Sequence, residues 1–249
     1  MIYCCRFLLI NCGRFTHVAS DFGSKYHTHF FVTSEALYAS LTREQSRVAK
    51  RINLMEDNYD FSKTYDLKKI PIWFSPGIFV DRNASKNFSD FNVVNEVYPR
   101  TDKYFDFDRK TKMLKQSDRP YFIPTYGSIE GILPGQVMET WGFSKSKSLI
   151  ETYQVGQTFM LGKKRTMFQL MEVSKIEVCE EYPNGGQTSC VTIPVDGIRE
   201  FYEYEVLVAT ARYLLVRGKV NKAIIRGTIY SHWVALPKDS FPSMLFEPI

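Results

Sequence analysis

The sequence predicts an α+β fold, one antiparallel sheet with few helices, and three observations predict it. An apolar, strand-like run opens the chain at residues 2–10. One clear helical period follows, beginning at Ser34. From residue 120 onward nearly every segment reads as strand, punctuated by Pro and Gly.

Residues 2–10, IYCCRFLLI, combine β-branched and aromatic side chains that suit a pleated surface. Residues 11–33 set Gly13 and Gly23 among Ser, Thr and Asp and read as a polar loop. Ser34 then precedes EALYASLTREQSRVAKRI, where Leu37, Leu41 and Val48 recur at helical spacing and Ser34 is placed to cap the first turn. Residues 53–119 mix aromatic and charged side chains without a period. They read as an insertion of loops and short strands within a single domain spanning 1–249. Beyond it, PYFIPTYGSIEGILPGQVMETWGFS alternates, and YQVGQTFMLGKKRTMFQLMEVSKIEVCEEY reads as strands about a basic turn. PNGG at 183–186 reads as a hairpin turn between EVCEEY and QTSCVTIPV. DGIREFYEYEVLVATARYLLVRG begins irregularly and is assigned a short helix, and KAIIRGTIYSHWVAL a closing strand. The order fits a ferredoxin-like or RRM-like core with extra β-hairpins.

Composition narrows the function. Of 249 residues, 44% are hydrophobic and 24% charged, which excludes a disordered chain. A net charge of +5 permits a polyanionic partner without demanding one. Most of the aromatic 15% belongs in a core, and the surplus leaves rings for base stacking. Five cysteines, an odd number with no C-x-x-C pair, exclude a zinc knuckle and a disulfide framework and read as buried free thiols of a reducing cytosol. No apolar run is long enough for a membrane span. The N-terminal run lacks the basic start and cleavage site of a signal peptide, so a cytoplasmic protein is expected.

No enzyme motif is present: there is no G-x-G-x-x-G, Walker loop, G-x-S-x-G or H-E-x-x-H. His27 and His29 have no third ligand at useful spacing, and His17 and His232 stand alone. No metal, cofactor or catalytic residue is therefore assigned. Three segments remain as binding candidates. In GSKYHTH at 23–29, Lys25 suits a phosphate, Tyr26 a base face, and His27 or His29 a sugar or base edge. The same trio could instead cleave RNA without metal, with His as base and Lys steadying the anion, or form an ordinary polar loop. In LGKKRTMF, Gly162 opens a turn, Lys163, Lys164 and Arg165 follow, and Thr166, Met167 and Phe168 lead into a strand. Such a turn presents backbone amides and cations to a phosphate groove, the alternative being a solvated hairpin tip. Finally, no acid occurs between Val206 and Pro237, a window holding Arg212, Arg217, Lys219, Lys222 and Arg226. These cations are expected on one side of a sheet or its rim. Arg14 in the first loop and Tyr126 in the mid-chain strands complete the RNA-binding set, with Arg217 and Lys219 taken from the basic window. The glycine-led loop and the cationic turn are expected to form one trough for sugar-phosphate.

Three stretches carry a family resemblance: ASDFGSKYHTHFFVTSEALYASL at 19–41, IPTYGSIEGILPGQVMETW at 123–141 and VGQTFMLGKKRTMFQL at 155–170. Together they resemble the Cas-five subunit of the type I-D CRISPR Cascade effector complex, also called Csc-one. The resemblance implies a RAMP-type RRM-like core with a β-hairpin thumb, the thumb-like part falling in 53–119. It implies a non-catalytic subunit that caps the five-prime handle of crRNA. Its partners would be Cas-seven-like backbone subunits and a Cas-ten-like large subunit, with target DNA near the protospacer-adjacent motif left as an option. It implies no cofactor. The type I-C relative cleaves RNA with Tyr, His and Lys, which keeps a metal-independent endoribonuclease as the alternative.

Overall fold

A computed structural model of the chain describes residues 1–15, 18–21, 25–28, 31–42, 71–80, 93–100, 105–108, 113–116, 125–161, 166–209 and 213–246, with backbone alone for 18–21, 25–27, 93–100, 105–108, 113–116, 125–130, 213 and 244. The early elements are β1 (Tyr3–Asn11), β2 (Val18–Asp21), β3 (Lys25–Thr28), β4 (Phe31–Val32) and α1 (Ser34–Leu41). Then come β5 (Ile72–Phe74), β6 (Gly77–Val80), β7 (Val93–Arg100), β8 (Phe105–Asp108), β9 (Met113–Gln116), β10 (Thr125–Ile132), β11 (Val137–Ser144) and α2 (Lys147–Ile150). The remainder is strand-rich: β12 (Thr158–Leu161), β13 (Thr166–Val173), β14 (Glu177–Val178), β15 (Glu180–Tyr182), β16 (Gly186–Gln187), β17 (Val191–Pro194), β18 (Phe201–Ala209), β19 (Tyr213–Val220), β20 (Ile224–Ile229) and β21 (His232–Pro237).

The core is an antiparallel sheet in the order β12-β13-β1-β11-β6-β4. Helix α1 connects β1 toward β6, and α2 connects β11 toward β12 and β13. The strand laid down second in the core thus sits beyond the third, the split βαβ arrangement of a ferredoxin-like fold. The class is α+β, strand-rich and mostly antiparallel, as the sequence predicts. One face of the sheet is an aromatic layer under the helices. Phe7 lies 5.3 Å from Tyr153 and 6.0 Å from Phe74, and the Tyr153 hydroxyl donates to the Leu41 carbonyl at 3.1 Å, tying the end of α1 to the segment after α2. At one end the opposite face is covered by the C-terminal strands. Phe143 meets Phe241 edge-on at 5.0 Å, and β20 approaches so closely at Gly227 that a Cβ there would overlap the Cys4 sulfur.

Several local expectations change in the fold. The N-cap of α1 is Thr33, whose hydroxyl accepts from the Ala36 amide, so the cap lies one residue before Ser34. The expected continuation of this helix past Thr42 lies outside the described residues. The polar 11–33 stretch holds three short strands: β2 pairs with β3, while β3 also pairs with the distant β10 and β4 with the distant β6. Residues 72–80 belong to the core sheet, where β5 and β6 pair with β11 and Ile72, Phe74 and Phe79 are buried. This part of 53–119 is therefore no insertion. PNGG turns the chain but closes no hairpin: β15 pairs with β20 while β16 pairs with β19. Gly185 takes φ 78° there, and a Cβ would overlap the Val220 carbonyl oxygen, so the turn is packed into the junction of two sheets. The short helix expected after Asp196 is a 3-10 turn, Val195–Glu200, feeding the β18–β19 pair, and the expected closing strand is the hairpin β20–β21. Of the five cysteines Cys12 is exposed, because it sits in the turn just past β1.

Candidate nucleic-acid interface

Strand β1 ends on a fully buried asparagine. Asn11 Nδ2 donates to the carbonyls of Gly13 at 3.0 Å and Leu133 at 2.7 Å, and its Oδ1 accepts from the Gln136 amide at 2.7 Å. The Gly135 amide donates to the Asn11 carbonyl at 2.8 Å. One side chain thereby binds two loops, 12–14 and 133–136, into one block, since a buried amide is tolerated only when its hydrogen bonds are met. The start of β13 is fastened to the same block. The Cys12 amide donates to the Met167 carbonyl at 2.8 Å, and the Thr166 hydroxyl to the Arg14 carbonyl at 2.7 Å. Phe15 then exchanges backbone hydrogen bonds with Ile132 at 3.0 and 2.8 Å. Exposed Arg14 therefore stands beside the root of the 162–165 turn. The segments 11–15, 132–137 and 166–169 contain no Asp or Glu.

Of the predicted residues, Arg14, Thr166, Met167 and Phe168 belong to this corner. Gly162, Lys163, Lys164 and Arg165 lie outside the described residues, in the connection between Leu161 and Thr166. Both flanks of that connection are fixed, Leu161 opposite Thr166 in the β12–β13 ladder. Lys25, Tyr26 and His27 are on β3, and Tyr126 is on β10. His29 lies outside the described residues. Tyr26 pairs with Ile129 and Lys25 with Ser128, while Phe15 bridges Ile132. The β3 segment thus meets β10 three residues from the corner, about 10 Å along the strand.

Two residues assigned to RNA take other roles. Phe168 is fully buried, edge-on to Phe15 at 5.0 Å and 6.4 Å from Phe79, because alternation along β13 turns it to the helix-covered layer. Thr166 is buried and its hydroxyl holds Arg14, so it positions the site. Met167 faces solvent from the same strand. The helix-free face around it is aliphatic. Leu8 and Ile10 are half-buried, Met160, Met167 and Met171 are exposed, and Arg6 is held between Glu139 at 3.5 Å and Glu172 at 3.4 Å. Among these described residues none is an exposed ring, and the one cation, Arg6, is paired with carboxylates.

The basic C-terminal window does not form a cationic surface. Register sets Arg217 opposite Glu205, with Nε to Oε2 at 2.7 Å, and Lys219 opposite Glu203, to which it is hydrogen-bonded. Lys222 bridges Glu200 at 2.8 Å and Asp239 at 2.9 Å. The hydrogen bonds that Lys219 and Lys222 donate to Glu203 and Glu200 raise the pKa values of both lysines. The acids come from outside the window, on β18 and the turns, so segregation along the chain is cancelled across strands. Arg212 lies outside the described residues. Sequence reasoning missed Asn11 and the 133–136 turn as parts of the site. Their only signal is Pro134–Gly135, a turn whose destination is not legible locally.

No family model matches this chain, and no curated protein does. Among solved structures it is similar to a chain of "Cryo-EM structure of the Type III-B Cmr-beta bound to cognate target RNA and AMPPnP, state 1". The TM-score is 0.46 and the identity 10%, over 88% of this chain and 86% of that one. It is also similar, at a TM-score of 0.43, 10% identity and the same coverage, to a chain of "Cryo-EM structure of the Type III-B Cmr-beta bound to cognate target RNA". No helix among the described residues is long and apolar enough to cross a membrane.

Proposed function

We propose that this chain is an RNA-binding subunit of a CRISPR effector complex and, at the finer level, a non-catalytic Cas-five-type subunit of a type I-D Cascade. It holds the five-prime handle of crRNA at the end of its core sheet. It bridges Cas-seven-like backbone subunits and a Cas-ten-like large subunit, in the cytoplasm. The observation that carries the reading is the fastening of the cationic turn's root to Arg14 through Thr166, in a corner made rigid by Asn11. A rigid backbone with clustered cations binds sugar-phosphate with little ordering cost, and its affinity falls steeply with salt. The resemblance of 19–41, 123–141 and 155–170 supplies the family.

Cys12 provides the test. It is the exposed one of the five thiols and lies in the corner. Saturating repeat-derived RNA should slow maleimide labelling of Cys12 in the full chain several-fold. Undiminished labelling removes the corner as the interface. In the same samples the RNA should stay intact in EDTA, and metal-free cleavage would replace the non-catalytic part of the reading with an endoribonuclease.

A further inference from the structure

The β20–β21 hairpin displays two large rings that neither the core nor the corner uses. Tyr230 is 73% exposed and Trp233 42%. Ile229 pairs with His232, so Tyr230 and Ser231 form a two-residue turn. Tyr230 takes φ 55° at the first turn position, where glycine is favoured because a bulky side chain crowds its own backbone. The ring recovers little of that strain through burial. A strained, solvent-facing aromatic is a cost to stability, and such outliers gather where a side chain is needed for contact.

Each ring has a cation above it. Lys175 Nζ lies 5.4 Å from the centre of the Tyr230 ring, and Arg226 Cζ 5.4 Å from the centre of the Trp233 ring. Thr228, directly opposite Trp233, and the neighbouring Ser231 and His232 are polar and exposed. Carboxylates balance the charge. Glu177 pairs with Lys175, and Glu180 lies opposite Arg226 while accepting from the Tyr182 hydroxyl. Phosphate attraction is therefore weak here, and ring faces flanked by cations are what the surface offers.

We propose that this hairpin is a base-stacking platform for single-stranded nucleic acid, with Tyr230 and Trp233 as its rings and Lys175 and Arg226 flanking them. The ligand class rests on the RNA-binding reading above, but none of the corner's residues takes part. Ring-on-base stacking tolerates any sequence and needs little net charge. A protein hot spot would set such rings in an apolar, water-excluding pocket, and the residues beside them in the hairpin are polar.

The test measures anisotropy of a fluorescein-labelled single-stranded RNA of mixed sequence with the full chain over a range of salt. Tyr230→Asn keeps a residue suited to positive φ and removes the ring. It should melt no lower than the parent and bind at least about fivefold more weakly, with the salt slope unchanged. Trp233→Thr should lose a similar factor. Unchanged affinity in both variants, with corner variants still impaired, overturns the platform and leaves the RNA-binding reading standing. A parent chain that binds no RNA at any salt removes that reading, and the platform with it. A flattened salt slope in Tyr230→Asn assigns the hairpin to phosphates and overturns stacking. Loss of a protein partner at unchanged RNA affinity makes it a protein contact and overturns the proposal.

Discussion

The corner at the end of β1 and the ribbon of β18 and β19 both border cation-rich sequence, yet their described segments differ in where acids fall. At the corner, described segments free of acid converge because buried Asn11 and Thr166 tie loops 12–14 and 133–136 to the start of β13. In the ribbon, antiparallel register puts Glu203 and Glu205 directly across from Lys219 and Arg217. Exposed cross-strand pairs of this kind add little to stability, but they remove the cations from a partner's reach. A basic stretch is thus a binding surface only if its spatial neighbours are not acids, and strand pairing chooses those neighbours.

The difference can be broken in three ways. The largest effect is expected from reversing the charge of Lys163, Lys164 and Arg165 together to Glu. RNA affinity should fall by about two orders of magnitude or more, and the salt slope should flatten. Retained affinity in an anisotropy titration would deny that the corner binds at all. Next is Asn11→Leu, which leaves the amide and carbonyls it serves without partners. A loss of about 2–4 kcal/mol is expected from the urea midpoint, together with weaker RNA binding. A stable variant would mean that the loops hold themselves. The smallest effect belongs to Arg217→Ala with Lys219→Ala: affinity within about twofold of the parent and an unfolding midpoint close to it, because these cations already face carboxylates. A large loss of RNA would put the ribbon back into the interface.

Much of the fold is legible in the residues. The apolar alternation of β1, the helical spacing of Leu37 and Leu41, and the Pro–Gly punctuation after residue 120 predict an antiparallel α+β core. Residues 72–80 were opaque, because Ile72, Trp73 and Phe74 form too short a run to distinguish a core strand from a loop. PNGG carried a true turn signal whose two flanks went to different sheets, since local turn chemistry says nothing about strand partners. Of the residues named for binding, Arg14 and Met167 are exposed at the corner, whereas Thr166 is buried in it. Phe168 was misread because its neighbours are cationic, although strand alternation already turned it inward.

By itself the sequence determined the periods, the turns and the residue types able to touch a phosphate or a base, because these depend on neighbours a few positions away. Only the tertiary structure decided which cations of the ribbon are paired with acids, which asparagine is buried, and that a strained tyrosine stands in solvent. Charge neutralisation, hydrogen-bond satisfaction and burial depend on residues brought together from distant parts of the chain, and strand register settles them.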